Sequence, residues 1–301
     1  MKLASGSFVN NVVIICGGYD NNTKELSNTC FTCNKNGSWS ILANMINGRS
    51  SASSINRGNS LWITGGNDSN KTEYISLTNE TEYISFNGTV SLGPPLPIRI
   101  SKHTILSINE TFSMLIGGYV EIVGVTKKTW YYNHENTDQW IPGPELGTAR
   151  FSCTSGIIKD KITQEQLGVV VGGSDNPING PSLNSVEILL PSENIWIGGK
   201  TYLLNWKFVS FYIQEFFCCI IGPSLPKHLS NHAMVQIDGD LVVIGGVEWT
   251  SVLVDFLPSK DLFRLTCSSR KCNWNKLPQE LLMTRYDMVA IAIPNDYFDR
   301  P

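Results

Sequence analysis

The stretch VVIICGG, residues 12–18, decides the fold because four further runs of the same kind follow it along the chain. Each is a short apolar run that ends in two glycines: SLWITGG (60–66), FSMLIGG (112–118), LGVVVGG (167–173) and LVVIGG (241–246). The last glycines of successive runs are 48, 52, 55 and 73 residues apart. A period of about 50 residues made of short apolar strands predicts a repeat architecture. A chain of this kind is more often a binding surface than a catalyst.

The composition of the 301-residue chain fits many short strands joined by turns. Charged residues make up 16% of it, below the usual quarter or so, and glycine is frequent at 26 residues. The net charge of −3, without a cluster of Lys and Arg, gives no electrostatic reason to expect nucleic acid as a partner. Because closed all-β folds commonly reach this length as one unit, we expect a single domain over residues 1–301.

Each period holds four short strands with turn residues between them. A strand of small residues precedes the strand that ends in Gly-Gly, and then come an aromatic strand, such as TWYYN (129–133), and a strand that carries Trp. The second repeat has Phe86 in place of Trp, and the other four have Trp39, Trp140, Trp196 and Trp274. Strands of this length with such turns predict antiparallel hairpins.

A basic residue, followed two positions later by a small or acidic polar residue, precedes each small-residue strand. The pairs are Arg49/Ser51, Arg99/Ser101, Arg150/Ser152, His228/Ser230 and Arg285/Asp287. In a ring of repeats these ten residues would recur once per repeat near one rim. Two interpretations stay open: a ring of partner-binding residues, or arginines that bond backbone carbonyls between repeats. We favour the second and keep all ten as candidate partner-binding positions.

Together these features resemble the kelch repeat: Gly-Gly after an apolar strand, an aromatic residue about a dozen positions on, Trp beyond it, and Arg before the next strand. The resemblance covers nearly the whole chain, with five repeats in register. It implies a β-propeller of four-stranded antiparallel blades around a channel, with the topology of the galactose-oxidase propeller. Kelch substrate adaptors bind acidic peptides with Arg and Ser residues at a comparable face, so the resemblance also implies a protein-binding role.

Five Gly-Gly strands predict five blades, or six if a blade is missing before the first residue, because most kelch propellers resemble a six-bladed ring. The last segment, RYDMVAIAIPND (285–296), contains a small-residue strand with no Gly-Gly strand after it. We expect this C-terminal strand to complete a composite first blade and so to close the ring and remove its open edge.

The gap of 73 residues isolates an atypical insertion at residues 198–221, without which the spacing returns to the period. Its sequence is apolar but contains Lys207, Gln214 and Glu215, so it is a poor transmembrane helix. A functional insertion, a membrane-contacting hairpin and a stretch foreign to the mature coding sequence, such as a retained intron, are the alternatives. We hypothesise the last.

From the sequence we expect that this chain is not an enzyme. The four histidines are His103, His134, His228 and His232, and the ligand set of copper oxidases that resemble kelch propellers cannot be assembled from this chain. A nucleophile elbow, a P-loop and the His-Glu-x-x-His motif are absent from it. We expect no cofactor, no metal and no membrane span, and a monomeric propeller that binds another protein through loops on one rim.

Cysteines and sequons leave a second function open. Cys30 and Cys33 precede the first Trp strand, as Cys267 and Cys272 precede the last. A disulfide between Cys267 and Cys272, a four-thiolate zinc site joining the two hairpins, and free thiols all remain possible interpretations. Seven N-x-S/T sequons weakly favour an extracellular setting, although the first residues do not resemble a signal peptide. The alternative is an extracellular glycosylated propeller that binds carbohydrate or a cell-surface partner.

Overall fold

A computed structural model describes residues 3–67, 77–135, 139–177, 180–190, 194–198, 223–249, 256–269, 271–295 and 297. These residues form strands and turns, and since none of them is helical, none of them provides a helix able to cross a membrane. The insertion predicted at residues 198–221 lies, apart from Gly198, outside the described residues.

Among the described residues, twenty-six strands follow the periodicity of the sequence. The first period contains β1 (Ser5–Val9), β2 (Val12–Cys16), β3 (Tyr19–Asp20), β4 (Glu25–Leu26), β5 (Thr29–Cys33) and β6 (Trp39–Asn44). The second contains β7 (Ser53–Arg57), β8 (Ser60–Thr64), β9 (Thr81–Ser85) and β10 (Val90–Leu92). The third contains β11 (Thr104–Ser107), β12 (Phe112–Ile116), β13 (Tyr119–Val120), β14 (Gly124–Val125), β15 (Thr129–Asn133) and β16 (Trp140–Pro142). The fourth contains β17 (Thr154–Lys159), β18 (Gln166–Val171), β19 (Val186–Leu190) and β20 (Ile195–Gly198). The fifth contains β21 (Ala233–Ile237), β22 (Asp240–Ile244), β23 (Val247–Trp249), β24 (Phe256–Pro258), β25 (Asp261–Ser268) and β26 (Lys271–Glu280).

Each period forms one four-stranded antiparallel sheet, which confirms the predicted five blades of a propeller. The sheets have the orders β1-β2-β5-β6, β7-β8-β9-β10, β11-β12-β15-β16, β17-β18-β19-β20 and β21-β22-β25-β26, numbered here as blades 1 to 5. The innermost strands contact one another in chain order, from β1 through β7, β11 and β17 to β21. In blades 1, 3 and 5 a short hairpin joins the second strand to the third: β3-β4, β13-β14 and β23-β24.

The glycine pairs hold each blade to the segment that leads into the next repeat. The N–H of the second glycine donates to a carbonyl of that segment at 2.8–2.9 Å: Gly18 to Arg49, Gly66 to Ile100, Gly118 to Arg150, Gly173 to Leu229 and Gly246 to Arg285. At the first glycine φ lies between +55° and +68°, and a Cβ would lie 2.4–2.6 Å from the same carbonyl oxygen. Only glycine tolerates both conditions, and this explains why the motif recurs.

A closed ring of six backbone hydrogen bonds joins the repeats where the innermost strands begin. Each N–H donates to the carbonyl of the previous member at 2.8–3.1 Å, and the first member donates to the last. All six have φ between +52° and +59°. We call them the ring residues; they are Leu3, Ser51, Lys102, Ser152, Asn231 and Asp287.

The sixth member of the ring comes from the C-terminal segment. Blade 1 takes its innermost strand from β1, so the prediction that the C-terminal segment completes a composite first blade is wrong. That segment, residues 288–293, follows Asp287 and lies between blades 5 and 1. Its Ile291 and Ile293 pack in one cluster with Phe8, Val13 and Ile15 of blade 1. The C-terminal segment therefore closes the ring, as predicted, but as a sixth unit outside any sheet.

Two buried ion pairs fix connecting segments to blades 2 and 4. Arg49 pairs with Glu82 of β9, and the Arg150 guanidinium lies 2.6 Å from the Glu187 carboxylate of β19. All four side chains are at most 1% exposed. Arg150 also donates to the carbonyl of Gly172 at 2.8 Å. The structure thus places both arginines in the structural role that the sequence favoured.

Blades 3 and 5 have apolar residues at both of these positions. Ile100 and Leu229 take the place of the arginines, because their carbonyls accept the glycine N–H. Trp130 and Phe263 take the place of the glutamates in the strand register. Ile100 clusters with Trp130, and Leu229 clusters with Phe263. At these four junctions a buried arginine therefore occurs only where a buried glutamate meets it, in keeping with the cost of desolvating an unpaired charge.

Tryptophans of the outermost strands join neighbouring repeats, as expected of amphipathic aromatic side chains. Trp140 donates its indole N–H to the carbonyl of Pro95 at 2.9 Å, and Trp274 does the same to Pro223. Both acceptors lie in the segment that enters the blade carrying the tryptophan.

Trp62, in the second strand of blade 2, is fully buried and stacks on Tyr83 with a centroid distance of 5.7 Å.

Four of the described cysteines form two cross-strand disulfides. Cys267 and Cys272 are bonded across β25 and β26, which confirms one of the three interpretations for that hairpin. Cys30 is bonded to Cys16 of β2, and Cys33 is a buried free thiol. The four-thiolate zinc site is therefore wrong, because three of its four sulfurs are in disulfides.

Replacing Arg49 with Leu should lower the free energy of unfolding by about 3–5 kcal/mol, since Glu82 then stays buried without its partner. The double variant Arg49→Leu/Glu82→Phe copies Leu229 and Phe263 of blade 5. It should regain at least about 2 kcal/mol of the lost free energy of unfolding. The part that is not regained reflects the amide of Ile46, which loses its carboxylate acceptor. Denaturant unfolding of both single variants and the double variant measures the coupling, and a double variant no more stable than Arg49→Leu contradicts it.

Replacing Gly117 with Ala should destabilise the protein by about 1–3 kcal/mol more than replacing Gly124 with Ala. Both glycines have positive φ, at +56° and +81°, so both substitutions carry a similar backbone strain. A Cβ at Gly117 would lie 2.5 Å from the carbonyl oxygen of Arg150, whereas a Cβ at Gly124 has nothing within 4 Å. Thermal and denaturant unfolding compare the two. Equal losses would show that the close contact does not restrict this position.

Candidate functional site

A cavity of about 120 Å³ opens at the axis of the propeller, at the end where the innermost strands begin. Its lining consists of the six ring residues and the residue that follows each of them. The volume equals that of roughly four molecules of liquid water. We call this the mouth, and its lining repeats six times around the axis.

The structure brings three of the ten predicted site residues together at the mouth. Ser51, Ser152 and Asp287 are ring residues. Arg49 and Arg150 lie behind them, in the buried ion pairs.

In two repeats the predicted pairs are displaced by one residue. The ring members there are Lys102 and Asn231, not Ser101 and Ser230. Every described innermost strand begins two residues after its ring residue, so counting back from the strand gives the right register where the basic residue misleads. The predicted equivalence of the ten residues is wrong for Arg99, Ser101, His228 and Ser230.

The displaced residues have other environments. Arg99 is exposed, and the backbone of Ser101 pairs with Tyr119. His228 contacts the carbonyl of Ser182 through Nδ1 at 2.7 Å, and the Ser230 hydroxyl lies 3.1 Å from that of Ser182. Arg285 has the predicted register but is exposed. Binding of a partner by any of the ten residues stays a prediction.

Two histidines that the sequence reasoning set aside lie in the lining of the mouth. His103 and His232 follow ring residues and are each 5% exposed. Nε2 of His103 lies 2.9 Å from the hydroxyl of Thr64, and that hydroxyl donates to a backbone carbonyl. The hydroxyl therefore accepts from His103, which places the proton on Nε2 and leaves Nδ1 as a buried acceptor. Nδ1 of neither histidine has a hydrogen-bond partner among the described residues.

Burial sets the protonation of the groups around the mouth. It lowers the pKa of His103 to about 3 and that of His232 to about 4, so both imidazoles are neutral at neutral pH. Burial raises the pKa of the Cys153 thiol to about 11. It also lowers the pKa of Lys102, and the charge of Asp287 opposes that shift.

The mouth combines one ammonium, one carboxylate and several neutral polar groups. The Lys102 ammonium lies 5.3 Å from the centroid of the Phe151 ring, and the Asn231 amide donates to the Asp287 carboxylate. In the part of the chain that the structure describes, no group of three or more His, Cys, Asp or Glu side chains could hold a metal ion. The chemistry available here is hydrogen bonding to water or to a small polar group.

In the part of the chain that the structure describes, three short hairpins follow glycine pairs. They are β3-β4, β13-β14 and β23-β24, and we call them the rim hairpins. Each begins directly after a glycine pair. The first residues of two of them, Tyr119 and Val247, pair with the residues just before ring residues Lys102 and Asn231. The rim hairpins therefore lie on the same side of the propeller as the mouth.

Two of the three rim hairpins expose apolar side chains. At the tip of β13-β14, Ile122 is 96% exposed and Val123 is 68% exposed. Trp249 and Leu257 of β23-β24 are also exposed. The ring of Phe256 lies edge-on to that of Tyr286, next to ring residue Asp287, with a centroid distance of 4.7 Å. Two of the rim hairpins thus place exposed apolar side chains on the same side of the propeller as the polar mouth.

The two buried histidines should make stability fall with acidity. Their pKa values in the folded protein, about 3 and about 4, lie below the ordinary value near 6.5. Their contribution to the free energy of unfolding is therefore fully present above about pH 6.5 and is lost as the pH falls toward 4 and 3. Between pH 7 and pH 5 the loss should be about 2 kcal/mol for each histidine. Denaturant unfolding should therefore show a pH dependence about 4 kcal/mol smaller in His103→Gln/His232→Gln. Parallel pH profiles of this variant and the wild type would contradict the assignment.

Comparison with known proteins shows the fold and no more. No family model and no curated protein matches the chain. Among solved structures, that of YjhT is similar, with a TM-score of 0.71 over 91% of this chain and 83% of that chain, at 12% sequence identity. This similarity supports the β-propeller architecture, and the kelch resemblance stays a prediction.

Proposed function

We propose that this chain is a kelch-type propeller that acts as a non-enzymatic protein-binding module through its rim hairpins. The observation that carries the proposal is the tip of β13-β14, where Ile122 and Val123 point into solvent side by side. Single exposed apolar residues are ordinary, whereas a group of them at one functional edge marks an interaction surface. The aromatic and aliphatic residues of β23-β24 extend this surface on the same side of the propeller.

The energetics favour a protein partner at this surface. Covering an exposed Ile or Val side chain contributes about 1.5–3 kcal/mol. Trp249, an aromatic side chain half exposed on the rim, is the type of residue that most often dominates a binding interface. The hairpins emerge from the glycine contacts that fix each blade, so their bases are rigid while their tips are free to vary.

The groups at the mouth suit binding better than catalysis. General acid–base catalysis is most effective with a pKa near the working pH, and the pKa values of His103 and His232 lie near 3 and 4. The Cys153 thiol, with its pKa near 11, is a weak nucleophile at neutral pH.

The second candidate is an extracellular propeller that binds carbohydrate or a cell-surface partner. The two disulfides favour it, because disulfides persist in oxidising compartments. Four sequon asparagines are exposed and accessible to glycosylation: Asn21, Asn36, Asn87 and Asn109.

Site-specific photo-cross-linking tests the rim. We expect a benzophenone side chain at Ile122 to cross-link a discrete protein in native cells. The matched control is the same probe at Ile162, which is 66% exposed in the turn between β17 and β18, at the opposite end of the propeller. The purified partner should then bind wild type and Ile162→Asp equally, and Ile122→Asp/Val123→Asp at least about tenfold more weakly. Adducts at position 162 but not at 122, or equal binding to all three proteins, contradict the proposal.

A further inference from the structure

The region between blade 5 and blade 1 holds the beginning of a sixth repeat unit that no strand covers among the described residues. We call residues 281–293 the sixth sector. It starts with the connecting segment after β26, continues through ring residue Asp287, and ends with residues 288–293. The ring of backbone hydrogen bonds gives this unit the same position relative to its neighbours as the five blades.

Residues 288–293 have the place of an innermost strand but no partner strand. In blades 1 to 5 the innermost strand pairs along its length with the second strand. Residues 288–293 make no backbone–backbone hydrogen bond within the described part of the chain. Their sequence, MVAIAI, is wholly apolar and mostly half-buried. A row of unpaired amides and carbonyls on an apolar segment is a template for strand addition.

Two side chains of the sixth sector are uncovered where their equivalents are buried. The amide of Leu281 bonds a carbonyl at 2.9 Å in the manner of its four equivalents, which are 1–3% exposed, whereas Leu281 is half-buried. Those equivalents are Met45, Leu96, Leu146 and Leu225. Arg285 is exposed, although Arg49 and Arg150 at the same position are buried.

The equivalent positions specify what would cover the sector. Arg49 and Arg150 each meet a glutamate on the third strand of the blade that follows them. Arg285 has no ion pair among the described residues. The complementary element is an antiparallel β-hairpin whose first strand pairs with residues 288–293 and whose second strand carries a carboxylate for Arg285.

We propose that the sixth sector binds a β-hairpin of a partner protein in trans, by strand addition to residues 288–293 and an ion pair with Arg285. This is the general mode in which an extended segment completes an exposed sheet edge. A second copy of this chain is a poorer occupant, because the hairpins of its described blades already belong to four-stranded sheets, and only the first and last strands of each sheet have an unpaired edge. The surface is separate from the rim hairpins and does not depend on the function proposed for them.

A hairpin from this chain is the probe that tests the sector. The fluorescently labelled peptide of residues 166–190 spans β18 and β19 and carries Glu187, which meets Arg150 in blade 4. We expect it to bind the full chain saturably in fluorescence anisotropy. Arg285→Glu should weaken binding at least tenfold, and the peptide with Glu187→Arg should restore binding to that variant. The matched control Arg99→Glu makes the same charge change at another exposed arginine and should leave binding unchanged.

Other outcomes decide against the proposal. Absence of saturable binding to the wild type, or equal weakening by Arg285→Glu and Arg99→Glu, overturns it. A dimer of the wild type at micromolar concentration that Arg285→Glu dissociates assigns the sector to a second copy instead. Thermal unfolding verifies that both variants remain folded, as expected for exposed side chains. Ile122→Asp/Val123→Asp should bind the peptide normally, so failure here and failure of the rim function are distinguishable.

Discussion

The contact between each glycine pair and the carbonyl that follows it sets the geometry on which the rest of the propeller depends. The second glycine donates to that carbonyl, and the first leaves no room for a Cβ beside it. The connecting segment is therefore held at a fixed distance from the blade before it. Two residues later the chain turns through positive φ and enters the ring. The spacing of the blades, the ring and the lining of the mouth all follow from this backbone contact, largely independently of side-chain chemistry.

That independence explains why one junction accommodates two kinds of core. Arg49 and Glu82 are charged, and Leu229 and Phe263 are apolar, yet the carbonyls of Arg49 and Leu229 accept the same hydrogen bond. At these junctions the buried charges occur as complete pairs, so the two members must be present together or replaced together. Arg285 keeps the backbone contact but has no described partner for its charge, and this combination distinguishes the sixth sector from the five covered junctions.

Local sequence patterns were enough to predict the blades. The innermost strand of blade 1 and the register at Lys102 were predicted wrongly, because both depend on pairing between residues far apart in the sequence. Gly-Gly and Trp are visible in any window of the sequence, so the count of five sheets and their strand order could be predicted. Whether SGSFV at 5–9 or VAIAI at 289–293 completes blade 1 depends on which run pairs with β2, and both are small-residue segments of similar length. The register at Lys102 depends on a hydrogen bond between Gly66 and Ile100, and the nearby Arg99 gave a misleading match. Neither the pairing of β1 with β2 nor the hydrogen bond between Gly66 and Ile100 leaves a local signal in the sequence.

The electrostatics of the mouth bear on the partner binding that we propose for the rim hairpins. With both buried histidines neutral and Cys153 protonated, the formal charges in the lining are those of Lys102 and Asp287, which offset each other. A mouth without net charge has no strong field with which to attract a charged partner from a distance. Selectivity at this end of the propeller then rests on contact, and the apolar side chains available for contact are on the rim hairpins. In the binding mode proposed for the sixth sector the reverse holds: backbone pairing would supply affinity for any strand, and the charge of Arg285 would distinguish one strand from another.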